Sequence, residues 1–134
     1  MRIGIYGGTF DPVHYGHLRP AMDVYEAFGL DQIRFIPCGQ PPHREPPVAT
    51  AQQRLAMLQV AVADNAAFEV DDRELRRSGP SYMIDTLRSL RTDMPVAELS
   101  LIMGMDAFVA FDRWYHWQET VSYTHLRAHE TKAN

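Results

Sequence analysis

Four short apolar runs alternate with stretches in which apolar residues recur every three or four positions. The runs, which we predict to be strands, cover residues 3–6, 32–37, 68–70 and 98–103. The helical spacing predicts three helices, whose buried faces are Leu18, Ala21, Met22, Tyr25 and Phe28, then Leu55, Leu58 and Val62, then Ile84, Leu87 and Leu90. Strands that alternate with helices are typical of parallel sheets. The pattern therefore predicts an α/β fold with a Rossmann-like, doubly wound parallel sheet.

Residues that begin or end helices lie between these segments. Gly29 follows the last periodic residue of the first helix, where helices commonly stop. Thr50 and Gln53 have the spacing of a capping box for the second helix, and Ser81 is a candidate N-cap of the third. The mixed charges of residues 71–77 are typical of a solvated edge, which we expect for most of that stretch.

Composition narrows the class of protein. A chain of 134 residues with 46% hydrophobic and 22% charged residues is typical of one globular domain. The net charge of −4 offers no basic field for nucleic acid, and no apolar run reaches membrane-spanning length. One cysteine excludes an internal disulfide, and the chain begins directly with a strand, which leaves no room for a signal peptide. We therefore expect a cytoplasmic protein without nucleic-acid or membrane partners.

The stretch from Gly7 to His17 joins the first strand to the first helix. Gly7 and Gly8 let the backbone turn sharply and let an anion approach the amides, and the helix N-terminus adds unpaired N–H groups and a partial positive charge. His14 and His17 place two imidazoles there, which donate to phosphate near neutral pH or carry charge. A simple turn, surface histidines or a metal pair are the alternatives, although no third and fourth zinc ligands follow at suitable spacing. We predict a phosphate or nucleotide site.

Two further stretches hold polar residues that suit a ligand. The proline-rich segment 39–47 reads as a loop, whose His43 and Arg44 either contact an anionic ligand or are solvated. Gly104 and Asp106 follow the fourth predicted strand, where a carboxylate either accepts from ribose hydroxyls or caps a helix. The aromatic residues of segment 108–117 either form core or stack on a planar ring.

The motif at the first junction resembles a known signature. Residues 8–17 match the G-x-F-D-P-x-H-x-G-H pattern of the nucleotidyltransferase superfamily, related to the H-I-G-H element of class I aminoacyl-tRNA synthetases. Three more stretches, 41–44, 79–87 and 103–117, are similar in order and spacing to bacterial nicotinate mononucleotide adenylyltransferases. The resemblance covers residues 1 to about 119. It implies a nucleotidyltransferase fold and adenylyl transfer from ATP to nicotinate mononucleotide, which gives deamido-NAD and pyrophosphate.

The same resemblance implies roles for individual residues. The ATP site it implies comprises Gly7, Gly8, Thr9, Phe10, His14, His17, Gly104 and Asp106. Among these, His14 and His17 would be catalytic, holding the phosphates and the transition state. The acceptor site it implies comprises His43, Arg44, Tyr82, Met83, Trp114 and Tyr115. Trp114 and Tyr115 would supply backbone N–H groups and an aromatic ring. No protein ligand for a metal is implied, since Mg²⁺ would enter through the ATP phosphates.

The end of the chain departs from what precedes it. Residues from about 121 have no apolar period and include the single lysine and two of the six histidines. In members of the similar family, an S-x-T-x-x-R element that lies later in the chain binds the triphosphate. The same pattern occurs here at residues 122–127, which is far too soon after Trp117 for that element. We therefore predict a nucleotidyltransferase domain at 1–119, C-terminally truncated, followed by an atypical tail at 120–134 that is foreign or disordered.

The sequence is also compatible with other functions. The chain could act on another phosphate-bearing acceptor, such as phosphopantetheine or glycerol phosphate, as an adenylyl- or cytidylyltransferase. It could also bind ATP without turnover, as a fragment. ATP and nicotinate mononucleotide are the expected partners, and a homo-oligomer is left open.

Overall fold

The computed structural model describes residues 1–40, 46–104, 109–123 and 125–129, and these form five strands and four α-helices. The strands are β1 (Arg2–Gly8), β2 (Gln32–Pro37), β3 (Phe68–Val70), β4 (Glu98–Gly104) and β5 (His125–His129). The helices are α1 (Tyr15–Ala27), α2 (Ala51–Val62), α3 (Met83–Asp93) and α4 (Trp117–Tyr123). A 3₁₀ turn at Phe111–Arg113 precedes α4.

The five strands form one parallel sheet in the order β3-β2-β1-β4-β5. The chain proceeds outward from β1 through β2 to β3, then crosses to the other side of β1 and continues through β4 to β5. β1 is therefore the strand at which the order reverses, and ligands bind beyond the carboxyl ends of strands at such a point. The predicted doubly wound α/β fold is confirmed, and the first junction lies at this point.

Side chains that alternate along the strands divide the core between the two faces of the sheet. One face carries Tyr6, Ile33, Phe35 and Ile102 against Ala21 and Val24 of α1 and Leu58 and Val62 of α2. The other carries Ile3, Ile5, Ile36, Leu99, Leu101 and Met103 against Leu87 and Leu90 of α3, with Trp117 of α4 at its margin. The period of two along each strand thus supplies both hydrophobic layers.

Local helix signals are right at two positions and wrong at a third. Thr50 and Gln53 form the predicted capping box, with Thr50 Oγ1 accepting from the Gln53 amide at 3.1 Å and Gln53 Oε1 accepting from the Thr50 amide at 2.9 Å. Gly29 follows the C-cap of α1 with a φ of 61°. Ser81 is not the N-cap of α3, because Tyr82 holds that position. The Ser81 hydroxyl instead accepts from the amides of Gly39 and Gln40, which lie beyond β2.

The charged run after β3 is less solvated than the sequence suggests. Glu74 is only 4% exposed, and Thr86 of α3 donates its hydroxyl hydrogen to the Glu74 carboxylate. Arg77 donates in turn to the Thr86 hydroxyl. The Asp71 carboxylate forms ion pairs with Arg34 and Arg73, with N–O distances of 3.0 and 2.9 Å. Glu74 and Asp71 are therefore exceptions to the solvated edge expected for most of this stretch, since contacts with α3 and β2 help to cover them.

Replacing Glu74 with glutamine makes the chain more stable at high pH. Burial raises the pKa of Glu74 to about 7 from an ordinary 4.5. The fold therefore favours the protonated carboxyl, so its contribution to stability is complete below pH 4.5 and is lost as pH rises to about 7. Glutamine keeps an acceptor for Thr86 but does not titrate. Urea unfolding should show Glu74→Gln gaining on the order of 1–3 kcal/mol over the parent between pH 4.5 and 8.

The matched control for this change is Glu69→Gln, on an exposed residue of β3. It should show no pH-dependent gain over the parent. An equal gain in both variants would mean that overall charge, and not the burial of Glu74, sets the pH dependence.

The last part of the chain continues the fold in the residues that the structure describes. Helix α4 runs through the predicted boundary between residues 119 and 120, and β5 pairs with β4 from Ser100↔His125 to Gly104↔His129. The fifth strand was not predicted. A foreign origin for residues 120–134 stays a prediction, because pairing of the backbone does not reveal where a sequence comes from.

Candidate nucleotide-binding site

The loop between β1 and α1 is built around a buried phenylalanine. Phe10 is 2% exposed, and its ring packs edge-on against Tyr6 and Phe35 with centroids 5.6 and 5.9 Å away. Its φ of 50° lies in the left-handed region, which costs a bulky residue about 1–2 kcal/mol. Burial of the ring offsets that cost. The loop is therefore pinned to the core from below, with its backbone at the carboxyl edge of the sheet.

The two glycines at the end of β1 leave room for neighbours within the protein. A Cβ on Gly7 would lie 2.7 Å from Met83 Cε, and one on Gly8 would lie 3.3 Å from Phe10 Cζ. The missing side chains thus let Met83 of α3 and the Phe10 ring pack directly on β1. This contact brings Met83, from the predicted acceptor site, beside the predicted phosphate loop.

His14 and His17 cap α1 with their side chains. His14 is the N-cap, and its Nδ1 accepts from the Gly16 amide at 3.0 Å. His17 Nδ1 accepts from the His14 amide at 3.1 Å, and the two ring centroids are 4.0 Å apart. An Nδ1 that accepts a hydrogen bond carries no proton, so each ring holds its proton on Nε2. Both residues therefore satisfy helix N–H groups and keep an Nε2–H donor for another partner.

The surroundings of His17 favour its neutral form. The ring packs edge-on against Phe10, at 5.1 Å between centroids, and against Tyr6 at 6.4 Å. Burial, followed by the neighbouring His14 ring, lowers the pKa of His17 to about 4. Of the two roles that the sequence left open, the structure thus favours a neutral hydrogen-bond donor for His17 at neutral pH over a positive charge.

The carboxyl end of β4 lies beside the end of β1. Tyr6 pairs with Ile102, so Gly104 follows along the same edge of the sheet as Gly8. Among the described residues, no atom lies within 4 Å of a Cβ built on Gly104, so they leave room for a ligand at this backbone position. Asp106, His43 and Arg44 lie outside the described residues, so their predicted roles stay predictions.

Three of the predicted acceptor residues meet near the start of α3. Tyr82 is the N-cap of α3, and its ring lies 4.7 Å from that of Tyr115, which is half exposed. Met83 is the first residue of α3 and touches β1, as described above. Tyr82, Met83 and Tyr115 therefore border the same edge of the sheet as the phosphate loop.

The backbone N–H of Trp114, which the resemblance assigns to the acceptor site, has a hydrogen-bond partner within the protein. Its N–H donates to the Phe111 carbonyl at 3.0 Å in the 3₁₀ turn, and its ring packs 5.0 Å from the Phe111 ring at the margin of the core. In this structure that amide already has a partner. The Trp114 ring is partly buried against the core, and its predicted part in the acceptor site stays a prediction.

Comparison with known proteins decides the family. The sequence profile of the cytidylyltransferase-like family matches residues 5–133, which is nearly the whole chain. The chain belongs to the cytidylyltransferase-like family. The expected membership in a nucleotidyltransferase superfamily is thereby confirmed.

Relatives of this cytidylyltransferase-like chain carry more specific names. It is 56% identical over 125 residues to a "Probable nicotinate-nucleotide adenylyltransferase" of Methylococcus capsulatus, covering 92% of this chain and 60% of that protein. A protein of the same name from Aeromonas salmonicida is 51% identical over 124 residues, with 92% and 58% covered. The chain thus spans about three fifths of the length of the curated relatives it matches.

The fold is shared with a solved nicotinic acid mononucleotide adenylyltransferase of Plasmodium falciparum, complexed with NaAD. The TM-score is 0.77 at 14% identity, over 99% of this chain and 76% of that one. Within the described residues, no helix is both long and apolar enough to cross a membrane.

Two residues support this family's motif in roles that we did not predict from the sequence. The Asp11 carboxylate accepts from the amides of Val48 at 2.7 Å and Ala49 at 3.0 Å, just before α2. These bonds, that of Ala49 foremost, hold the pKa of Asp11 below its ordinary value. Arg54 is 1% exposed and donates to the backbone carbonyls of Thr9, in the loop after β1, and of Cys38, after β2. Its position was a usable signal, because Arg54 lies four residues before Leu58 and eight before Val62, on the buried face of α2.

Proposed function

We propose that the chain carries the nucleotide site for adenylyl transfer from ATP to nicotinate mononucleotide, with release of pyrophosphate. The observation that carries this proposal is the pair of imidazoles that cap α1 at the carboxyl edge of β1, each with a proton on Nε2. Two neutral donors beside a helix N-terminus suit the oxygens of a triphosphate. The names of relatives at 51–56% identity support nicotinate mononucleotide as the acceptor.

The proposed reaction requires no nucleophile from the protein. A phosphate oxygen of the acceptor forms a bond to the α-phosphorus of ATP, and the bond from that phosphorus to the bridging oxygen breaks. Pyrophosphate leaves with the electron pair of the broken bond. Charge builds on the oxygens of the transferred group and on the leaving group, where Nε2–H donors of His14 and His17 stabilise it together with the α1 dipole. Catalysis therefore rests on alignment and charge stabilisation.

We propose that the metal ion enters with the substrate. Among the described residues, no three side chains of His, Cys, Asp or Glu gather into a cluster that could hold an ion. Nucleotidyltransferases generally use a divalent ion with ATP, and we propose Mg²⁺ bound to the triphosphate as part of the substrate. The cytoplasm, where ATP is abundant, is the proposed compartment.

The acceptor ring is proposed to bind near Tyr82, Met83 and Tyr115. These side chains border the phosphate loop, and Tyr115 presents a half-exposed aromatic ring. A pyridine ring stacks favourably on such a face. Nicotinate has a carboxylate that nicotinamide lacks. In a site from which water is excluded, this carboxylate accepts hydrogen bonds from backbone N–H groups, which favours the acid over the amide.

The test is pyrophosphate release by the purified chain with MgATP and a panel of acceptors. Nicotinate mononucleotide should support turnover, and nicotinamide mononucleotide, phosphopantetheine and glycerol phosphate should support much less. The longer Methylococcus capsulatus relative serves as the assay control. Faster turnover with another acceptor would contradict the proposed substrate.

A second candidate is a nucleotide-binding chain without turnover. The observation that favours it is the coverage of only about three fifths of the length of the relatives. Calorimetric binding of MgATP without pyrophosphate release from any acceptor would support this candidate. Absence of ATP binding by the folded chain would contradict both.

A further inference from the structure

We infer that Arg54 of α2 is a positioning residue for the phosphate loop, which it ties through backbone carbonyls to the chain beyond β2. The inference rests on the proposed function, because it concerns how the loop that meets ATP is held. The Arg54 side chain is buried, so it acts through the loop without touching a ligand itself.

The contacts of Arg54 join two segments that are distant in sequence. Nη1 donates to the carbonyl of Thr9 at 2.9 Å and to that of Cys38 at 2.7 Å, and Nη2 donates to Gly39 at 3.4 Å. Thr9 follows β1 and Cys38 follows β2, and these strands are paired up to Gly8↔Pro37. The planar guanidinium is suited to such a bridge because its donors are held in a rigid fork.

The Thr9 carbonyl sets the direction of an amide that is predicted to meet phosphate. In a planar trans peptide, the C=O of Thr9 and the N–H of Phe10 point in opposite directions. The one cis bond among the described residues is Asp11–Pro12, so the Thr9–Phe10 bond is trans. Because Arg54 draws the Thr9 carbonyl toward α2, the Phe10 N–H is directed away from α2. Arg54 thereby orients that donor before ATP arrives.

The charge of Arg54 adds a second effect. It has no ion-pair partner within the part of the chain that the structure describes, and its buried Nε has no hydrogen-bond partner there. The Asp11 carboxylate lies close enough to feel this charge, which helps to lower the pKa of Asp11, and an anion bound nearby would stabilise the buried guanidinium further. A triphosphate on the loop would provide that anion, so ATP binding and the buried charge favour each other.

The chain offers a matched control in Arg91 of α3. Arg91 Nη1 also donates to backbone carbonyls, those of Met94 at 3.3 Å, Pro95 at 3.4 Å and Ala97. Those carbonyls lie before the first residue of β4, at the end of the sheet opposite the site. The two arginines therefore share the chemistry of their contacts, but Arg91 is only partly buried and holds the opposite edge of the sheet.

The experiment compares Arg54→Lys and Arg54→Gln with Arg91→Lys and Arg91→Gln in the full chain. The readouts are Tm, the Kd of MgATP by calorimetry, and kcat and KM for pyrophosphate release. Lysine keeps the charge at position 54 but loses the fork, so we expect Arg54→Lys to lower kcat about 10–100-fold and, because the Phe10 amide is less well oriented, to weaken ATP binding by a smaller factor than Arg54→Gln. Arg54→Gln should also weaken ATP binding about tenfold, because the charge is lost. The Arg91 variants should lower Tm and leave Kd and kcat unchanged.

The outcomes separate this inference from the proposed function. If the parent chain binds ATP but has no turnover, the Kd values alone decide, and weaker binding in Arg54→Gln than in Arg91→Gln supports the inference. Equal Kd and kcat in Arg54 and Arg91 variants of matched Tm would overturn it, whatever the acceptor proves to be. If the Arg54→Gln variant does not fold, the kcat of Arg54→Lys decides. If the parent chain also lacks turnover, a Kd of ATP that is weaker in Arg54→Lys than in Arg91→Lys supports the inference.

Discussion

Replacing His17 with asparagine lowers kcat for adenylyl transfer by about 10²–10³-fold, as for loss of one transition-state donor. The Oδ1 of asparagine lies where Nδ1 of histidine lies, so it still accepts from the His14 amide that His17 caps at 3.1 Å. The Nε2–H donor is lost. Steady-state pyrophosphate release with saturating MgATP and nicotinate mononucleotide measures the change.

A second substitution separates the donor from the helix cap. His17→Ala removes both, so we expect the same loss of kcat together with a loss of stability of about 0.5–2 kcal/mol, which is typical of a lost cap. Thermal unfolding of the three proteins should place His17→Asn near the parent and His17→Ala below it. Near-normal turnover in His17→Asn would contradict the role of Nε2–H.

Replacing Phe35 with alanine destabilises the fold by about 3–5 kcal/mol, as in other large core truncations. Phe35 is fully buried in β2 and lies beneath the site. Its ring stacks on Tyr6 at 5.5 Å between centroids and meets Phe10 at 5.9 Å and Phe68 at 5.1 Å, edge-on. The deletion opens a cavity under the loop that carries His17. Because native proteins are stable by only about 5–15 kcal/mol, much of the stability would be lost.

The control for this prediction is the same deletion on the surface. Phe28, at the C-cap of α1, is 40% exposed. Phe28→Ala should cost about 1 kcal/mol or less in urea unfolding. Similar losses in the two variants would show that the aromatic cluster around Phe35 is not the centre of the core. Phe35→Leu, which keeps most of the volume, should fall between them.

The features that the sequence predicts well are local. The apolar runs identify β1 to β4, because strands buried on both faces are continuous in hydrophobicity. The capping box at Thr50 depends on two residues three positions apart, and it is present in the structure. The motif from Gly7 to His17 lies in one continuous stretch that folds into one strand–loop–helix junction. Such features need no knowledge of what packs against them.

The features that escaped prediction depend on contacts between distant segments. Ser81 has the residue type of an N-cap, but its hydroxyl accepts from amides 41 and 42 positions earlier. The carboxyl of Glu74 is buried by α3, which the charge run does not reveal. Strand β5 lacks an apolar period and follows from the open edge of β4. In each case the tertiary context decides against the local preference.

Arg54 shows where the limit lies for the site itself. Its spacing with Leu58 and Val62 predicts a buried position, yet the carbonyls that make burial tolerable belong to segments 16 and 45 positions away. Sequence periodicity gives the face on which a side chain lies. It does not give the partner that satisfies it.

We propose that His14 and His17 present Nε2–H donors to the triphosphate. Long-range proton–nitrogen correlation NMR of the chain with ¹⁵N-labelled histidine, at pH 7 with and without MgATP, tests it directly. His14→Asn and His17→Asn assign the two rings, and His116, distant from the α1 cap in sequence, is the reference. We expect both rings to be neutral with the proton on Nε2, and both Nε2 resonances to shift when ATP saturates the site. Protonated Nδ1 atoms, or unchanged resonances in the ATP-bound chain, would contradict this role of the two imidazoles.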